Sequence, residues 1–453
     1  MIERMDERKG ARKVLPEKAN IRKLSTKKML TCKNPWIIWG IANVFYLYEV
    51  ILRVSPSVMT EGLMSHYHIT AGVLGIMISF FYYSYTLLQV PCGLILDKVG
   101  PRNLVGSSVI LSTIGTLLFA ATDIVGVAAF GRCMVGAGAA CAFISCLQIA
   151  SVVFPIKSFA IFAGITNMMG TAGALCGGFP VAKCTNALGI HGWRNTEYLL
   201  AVVGVMIAIV AFTFIPKTMQ LVDHNSVSRS FSAIFKQVMR NRQIILVGLV
   251  GGFMYLPVSA FSELWAVPFF SAEDSFSGAS MPNNEIAALA SSMLFIGFAV
   301  GSVPVAMLAK KVGGYMKIIR VAIIAVALLF IPLIYVKSML LSFLIMFVIG
   351  LLTAAEVLVF TCAKNNESAK NSGTAIAFAN GLLMLVGAVF QPVLGMLLDV
   401  FWAGECSVNG APIYSQECYQ KAILTLPICL ILAYGLSLFV RETMHMEKEN
   451  SSR

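Results

Sequence analysis

The chain has 453 residues, 58% of them hydrophobic and 12% charged, against about 25% charged in a soluble protein. Its formal charge of +12 does not mark a nucleic-acid binder, because 11 of the 34 Lys and Arg crowd into the first 33 residues, ahead of any apolar run. These values exclude a soluble enzyme or binding module and point to a polytopic membrane protein.

Residues 1–35 form a basic tail interleaved with acids. It is too polar for a secretory signal peptide and is expected to be cytoplasmic. Twelve apolar spans follow, near 36–58, 71–96, 103–121, 125–152, 159–182, 198–216, 243–270, 286–309, 318–336, 338–361, 373–398 and 419–440. Each is about the length that crosses a ~30 Å hydrocarbon core. The longest internal polar stretch, 217–242, divides the chain into an N half (36–216) and a C half (243–440), with a second tail at 441–453. With both termini inside, the inner segments carry 28 Lys and Arg and the outer ones four, with two more in spans. That bias predicts an inner-membrane protein with both ends cytoplasmic.

The two halves repeat each other. PCGLILDKVG at 91–100 matches PVAMLAKKVG at 304–313, with Pro91 on Pro304 and Lys98-Val99-Gly100 on Lys311-Val312-Gly313. Asn167 precedes Asn380 by 213 positions, Gly136 precedes Gly350 by 214, and Glu49 precedes Glu263 by 214. A single offset recurring through apolar sequence predicts parallel repeats about an axis along the membrane normal. The expected fold is all-α and transmembrane, with two six-helix halves related by a pseudo-two-fold axis.

Five ionisable residues lie within spans: Glu49 and Arg53 in span 1, Arg132 in span 4, Glu263 in span 7 and Glu356 in span 10. Charge is costly at that depth, so each should face a cavity or a partner. Spans 1, 4, 7 and 10 are equivalent in the repeat, which predicts one central polar cavity. Arg53 and Arg132 are the candidates for gripping a carboxylate or phosphate. Structural alternatives stay open: Glu49 and Arg53, four residues apart, can neutralise each other, and Arg132 can tie to helix ends or carbonyls. Glu49 and Glu263 are the leading proton-coupling candidates, and Glu356 is a third acid that could instead gate or pair with Lys364. Tyr46 and Tyr48 flank Glu49 and offer polar tips. Asn167 and Asn380 are candidate cavity residues whose default role is interhelical hydrogen bonding.

The eleven cysteines form no metal-ligand pattern, and no cofactor is expected. Cys406 and Cys418 flank a polar loop placed outside, where a disulfide and two free thiols are both open.

The turn Gly93-Leu94-Ile95-Leu96-Asp97-Lys98-Val99-Gly100-Pro101-Arg102 closely resembles the signature loop of the major facilitator superfamily. Arg132 with Gly136 resembles the family's span 4 motif, and Gly192-Trp193-Arg194 its motif before span 6. The resemblance covers the whole chain and implies alternating access. It also implies a conformational latch in which Gly93, Asp97, Lys98, Gly100 and Arg102 take part and Asp97 carries the negative charge. An acid at the end of span 2 opposes the helix dipole and needs a partner. Its repeat counterpart is Lys310, so the latch is expected to be asymmetric. A fainter resemblance, Phe45-Tyr46-Leu47-Tyr48-Glu49 with Arg53-Val54-Ser55-Pro56-Ser57, is to amino-acid and dipeptide carriers.

The expected function is secondary transport of a small carboxylate-bearing solute (amino acid, short peptide or organic anion), with protons as coupling ion, by a monomer and without enzymatic activity. An exporter of hydrophobic or cationic compounds is the alternative within transport. A non-transporting sensor is the alternative outside it, and no stretch of the chain fits a soluble output domain.

Overall fold

Membrane-length apolar runs satisfy their backbone groups internally, and here they do so as helices. The computed structural model describes residues 34–155, 158–216, 237–272, 283–367, 372–407 and 410–441, with 90, 93–98, 152, 159–160, 190 and 372 described by backbone alone. The expected tails and most of the 217–242 loop lie outside the described residues, as do the surroundings of Gly93 and the side chains of Asp97 and Lys98.

Eleven helical stretches are long and apolar enough to cross a bilayer: Pro35–Val58, Ala71–Gln89, Pro101–Ala121, Val125–Ser151, Gly192–Phe214, Arg242–Ser271, Asn283–Val312, Tyr315–Tyr335, Met339–Asn365, Gly373–Phe401 and Gln416–Ser437. These are spans 1–4 and 6–12. Span 5 is made of two shorter helices, Phe159–Gly177 and Phe179–Ala187, which meet at Gly178. Among the described residues there are no named strands, only an isolated bridge between Cys406 and Pro412.

The repeat read from sequence is present in three dimensions. Span 4 breaks after Ala139 and resumes at Ala142, and span 10 breaks after Thr353 through a short 3-10 turn at Ala354–Glu356. The turns after spans 2 and 8 hold Gly100 at φ 78° and Gly313 at φ 74°, conformations that suit glycine. A Cβ on Gly136 would collide with the backbone of Phe81, and one on Gly350 with that of Leu294. Phe81 and Leu294 are themselves 213 positions apart. Both halves therefore set span 4 against span 2, or span 10 against span 8, by the same close approach.

The first and last described residues, Asn34 and Arg441, lie on one face of a twelve-span bundle, called here the terminal face. The halves pack on each other toward the opposite face, where span 5 meets span 8 and the Ser55–Val58 turn of span 1 meets Pro257–Trp265 of span 7. The terminal-face segments of spans 4 and 10, Ala142–Val153 and Val357–Asn365, pack chiefly within their own halves. The opposite face is thus the closed one.

Candidate functional site

Span 7 departs from α-helical geometry over Pro257–Trp265, which winds as a π-helix with every residue buried. Such segments are uncommon and recur at functional sites, because the wider turn re-aims a side chain. Here it carries Glu263. The carboxylate forms an ion pair with Arg53 of span 1 at 3.0 Å, and the Tyr82 hydroxyl of span 2 donates to its other oxygen. Glu263 is 1% exposed and Arg53 13%, so the pair is almost dry, yet Arg53 keeps an edge toward open space.

Tyrosines surround the guanidinium. Tyr255 hydrogen-bonds with it, and Tyr46 and Tyr85 lie close enough to feel its charge. The Nε of Arg53 is buried and has no hydrogen-bond partner among the described residues. Arg53 therefore retains a donor beyond the ion pair. Tyr46 packs on Phe143 with ring centroids 5.4 Å apart, in the space that Gly170 leaves clear.

The remaining expected site residues separate into two groups. Glu49, Tyr48 and Arg132 turn inward, into the N half. Tyr48 is 1% exposed and lies against Gly204 of span 6, two residues and so about 200° round the helix from Tyr46. Arg132 is 2% exposed, donates to the Leu52 carbonyl at 2.8 Å and lies over the rings of Phe81 and Phe119 at 5.3 and 5.7 Å. Glu49 is 2% exposed beside Ser112 and Arg132, and neither carboxylate oxygen has a hydrogen bond among the described residues. The Glu49–Arg53 pair, one of the structural alternatives, does not form; Arg53 pairs with Glu263 instead, because the long arginine reaches across to the other half. The expected convergence of Arg53 and Arg132 on one anion is also replaced: Arg132 makes the alternative contact, a helix carbonyl.

Asn380 donates to Gln89 at 2.8 Å and so joins span 11 to span 2. Asn167 is exposed, with its carbonyl accepting from Thr171. Glu356 is buried in the break of span 10, within electrostatic reach of Tyr255, while Lys364 is exposed two turns away. Of the latch residues, Gly100 shapes the turn. Arg102 donates to the Phe212 carbonyl, tying span 3 to the end of span 6 within its own half. Cys406 and Cys418 are separate thiols: Cys406 is exposed, and Cys418 is buried with its sulfur 3.1 Å from the Phe401 carbonyl. The helix start at Gln416 turns that thiol inward, away from the loop.

With the halves, the repeated turns and the cross-half pair in place, comparison with known proteins decides the family. The sequence model of the Major Facilitator Superfamily matches residues 38–392. The chain belongs to that superfamily. Among curated relatives, the uncharacterized transporter YybO of Bacillus subtilis (strain 168) is 37% identical over 65 residues, 14% of this chain and 15% of that protein. The inner membrane transport protein YajR of Escherichia coli (strain K12) is 25% identical over 259 residues, 53% of this chain and 51% of that one. The matches thus span about a seventh and about half of these relatives. Among solved structures, a bacterial homolog to the human lysosomal transporter Spinster, inward-facing and unoccupied, superposes with a TM-score of 0.72 at 15% identity, covering 89% of this chain and 96% of that one. The nucleoside transporter NupG gives 0.66 at 12% identity, covering 89% and 100%. At these identities the two structures share the fold. Membership of the Major Facilitator Superfamily makes the chain a membrane transporter rather than an enzyme.

Sequence reasoning missed two groups and left a third among span residues read as packing or interhelical hydrogen bonding. Glu197 is 1% exposed, accepts from the Ser55 hydroxyl at 3.2 Å and lies near Arg132. At the head of span 6 it reads as an acid suiting the helix dipole, which hides it. Tyr82, Tyr85 and Gln89 had a usable signal, since i, i+3 and i+7 share one helix face. Asp399 and Asn186 carried none, because their partners are on other spans.

Proposed function

We propose that this transporter is a proton-coupled carrier of a small carboxylate-bearing solute, with an amino acid or short peptide ahead of an organic anion. The observation that carries the reading is the Arg53–Glu263 ion pair joining spans 1 and 7 across the two halves. A solute carboxylate competes with Glu263 for the same guanidinium, which can hold a carboxylate bidentately. A proton on Glu263 removes the competitor, so proton and anion load together. Tyr82 and Tyr255 hold the two partners in place while they exchange. Loading weakens the tie between halves and lets them rock, which is alternating access about the fixed site.

Lys and Arg crowd the terminal-face segments of the sequence, which supports a cytoplasmic terminal face and an inner-membrane location. A second reading has one observation in its favour. Glu263 and Glu356 are two buried acids against one arginine in this region, a balance that suits export of a cation.

The test is uptake of labelled amino acids, dipeptides and monocarboxylates into proteoliposomes, with and without an inward proton gradient. Gradient-driven uptake that Glu263→Gln renders gradient-independent supports the proposal. Uptake indifferent to the gradient in the parent protein sinks proton coupling. Full carboxylate affinity in Arg53→Ala sinks the anion site, and selective movement of cations establishes the second reading.

A further inference from the structure

A second set of cross-half contacts sits at the closed face, away from the Arg53–Glu263 pair. Span 2 begins at Ala71, so its first backbone N–H groups have no partner within the helix. Their partner comes from the other half. Asp399, near the end of span 11, accepts from the Ala71 N–H at 3.1 Å and the Gly72 N–H at 3.0 Å. It also accepts from the Thr70 hydroxyl at 2.7 Å. Tyr414 closes the ring: its hydroxyl donates to Asp399 at 2.5 Å and accepts from the Ala71 N–H at 2.9 Å. One carboxylate thus caps a helix of the opposite half, with charge and helix dipole aligned.

The repeat offset of 213 carries Asp399 back to Asn186 and carries 70–72 forward to 283–285. The structure makes the matching contact there. The Asn186 amide donates to Asn284 at 2.9 Å and to Glu285 at 2.9 Å, and the Asn284 amide donates back at 2.8 Å. Both seams of the closed face therefore carry a polar tie at the matching place: on span 11 one carboxylate caps backbone N–H groups of span 2, and on span 5 a neutral amide donates to side chains of span 8, the Glu285 carboxylate among them. The Asp399 contacts and the Asn186–Glu285 contact are part-buried, whereas the Asn186–Asn284 pair is exposed. Asp399 collects four charge-assisted hydrogen bonds, from Thr70, Ala71, Gly72 and Tyr414, whereas Asn186 gives Glu285 one, and charge-assisted bonds out of bulk water are the stronger kind.

We propose that Asp399 is the principal gate lock of the opposite face: its carboxylate caps span 2 across the halves and must release residues 70–72 before that face opens. This rests on the alternating-access reading above.

The seam below the lock gives the readout. Ser79, two turns into span 2, is 0% exposed and donates to Gln391 of span 11 at 3.4 Å. A cysteine at that position, in a Cys406→Ser background, reacts with a membrane-impermeant maleimide only when the seam parts. Asp399→Ala raises its labelling rate about tenfold or more, the worth of one or more charge-assisted hydrogen bonds. Asp399→Asn gives an intermediate rise, and Asn186→Ala a smaller one. Hydrogen exchange over 70–76 rises in parallel in Asp399→Ala. Gly75→Leu is the positive control, since a Cβ there meets Pro392 and Gln391 of span 11 at 2.7 and 2.8 Å and wedges the seam. Faster exchange without faster labelling would make Asp399 a local helix cap and overturn the lock. If Gly75→Leu labels and Asp399→Ala does not, the lock fails while alternating access stands. If neither labels, the alternating-access reading itself fails.

Discussion

Arg53 and Glu263 meet at 3.0 Å between spans that belong to different halves, and the tyrosine that steadies the acid, Tyr82, comes from a third span. Breaking such a pair from one side leaves a charge in a dry site, at a cost of about 3–5 kcal/mol. Arg53→Ala should therefore lower the melting temperature in detergent and reduce uptake by about tenfold or more. The double variant Arg53→Met with Glu263→Leu should regain most of the melting temperature and none of the uptake. Equal melting temperatures for the single and double variants would dissociate the pair from stability.

Arg132 lies within the N half, and its replacement should separate stability from substrate affinity. Arg132→Ala removes the charged donor to the Leu52 carbonyl and leaves Glu197 and Glu49 without a nearby cation. We expect destabilisation of about 3 kcal/mol, with KM for the transported solute changed less than about threefold. A large rise in KM at unchanged thermal stability would return Arg132 to the substrate site.

Gly136 and Gly350 should respond alike, because each lets a neighbouring backbone approach. Gly136→Val and Gly350→Val force spans 4 and 10 away from Phe81 and Leu294 at about 1–3 kcal/mol or more each. Fluorescence-detected size exclusion should show loss of the monodisperse peak for both. Gly126→Val, where nothing lies within 4 Å, should keep it.

A pH effect is expected at the closed face. His66 lies in the segment between spans 1 and 2, against Asp123 at 3.0 Å and Arg194 at 2.8 Å, with Trp193 ring-to-ring at 5.3 Å. Burial and the Arg194 charge pull its pKa below the usual histidine value, whereas Arg194, hydrogen-bonded to the exposed Asp123, holds that carboxyl below its usual range. A base with a lowered pKa favours the folded state while neutral. That stability is present above about pH 6.5 and lost as pH falls from there toward the lower folded value. The fluorescence assigned to Trp193, through Trp193→Phe, should change on acidification from about pH 7.5 to 5. His66→Asn should flatten the change. Asp123 contributes in the same direction only in stronger acid, below its usual carboxylate pKa.

Cys406 should react with an impermeant maleimide in the folded protein, and Cys418 only after denaturation. Reductant should leave the melting temperature unchanged. A reductant-dependent shift would establish the bridge instead.

Twelve spans, their division into halves and the internal repeat were all legible in one dimension, because bilayer thickness and helical rise set a length that apolar runs must meet. The offset even located structural details, such as the Gly100 and Gly313 turns and the matching glycines Gly136 and Gly350. Helical phase was legible but went unused: Tyr46 and Tyr48, both expected at the cavity, are two residues apart and cannot share a face. Sequence also named Glu263 as a buried acid, since charge inside a span demands a partner. It could not name the partner. Arg53 is four residues from Glu49 and 210 from Glu263, and only the packing of the two halves sets which acid it reaches. Asp399 is the plainest case: in sequence it is one acid at a span's end, and across the seam it is the cap of another helix. Local periodicity and length are written along the chain, whereas pairings between distant spans depend on how two rigid halves meet, and that is decided by tertiary packing alone.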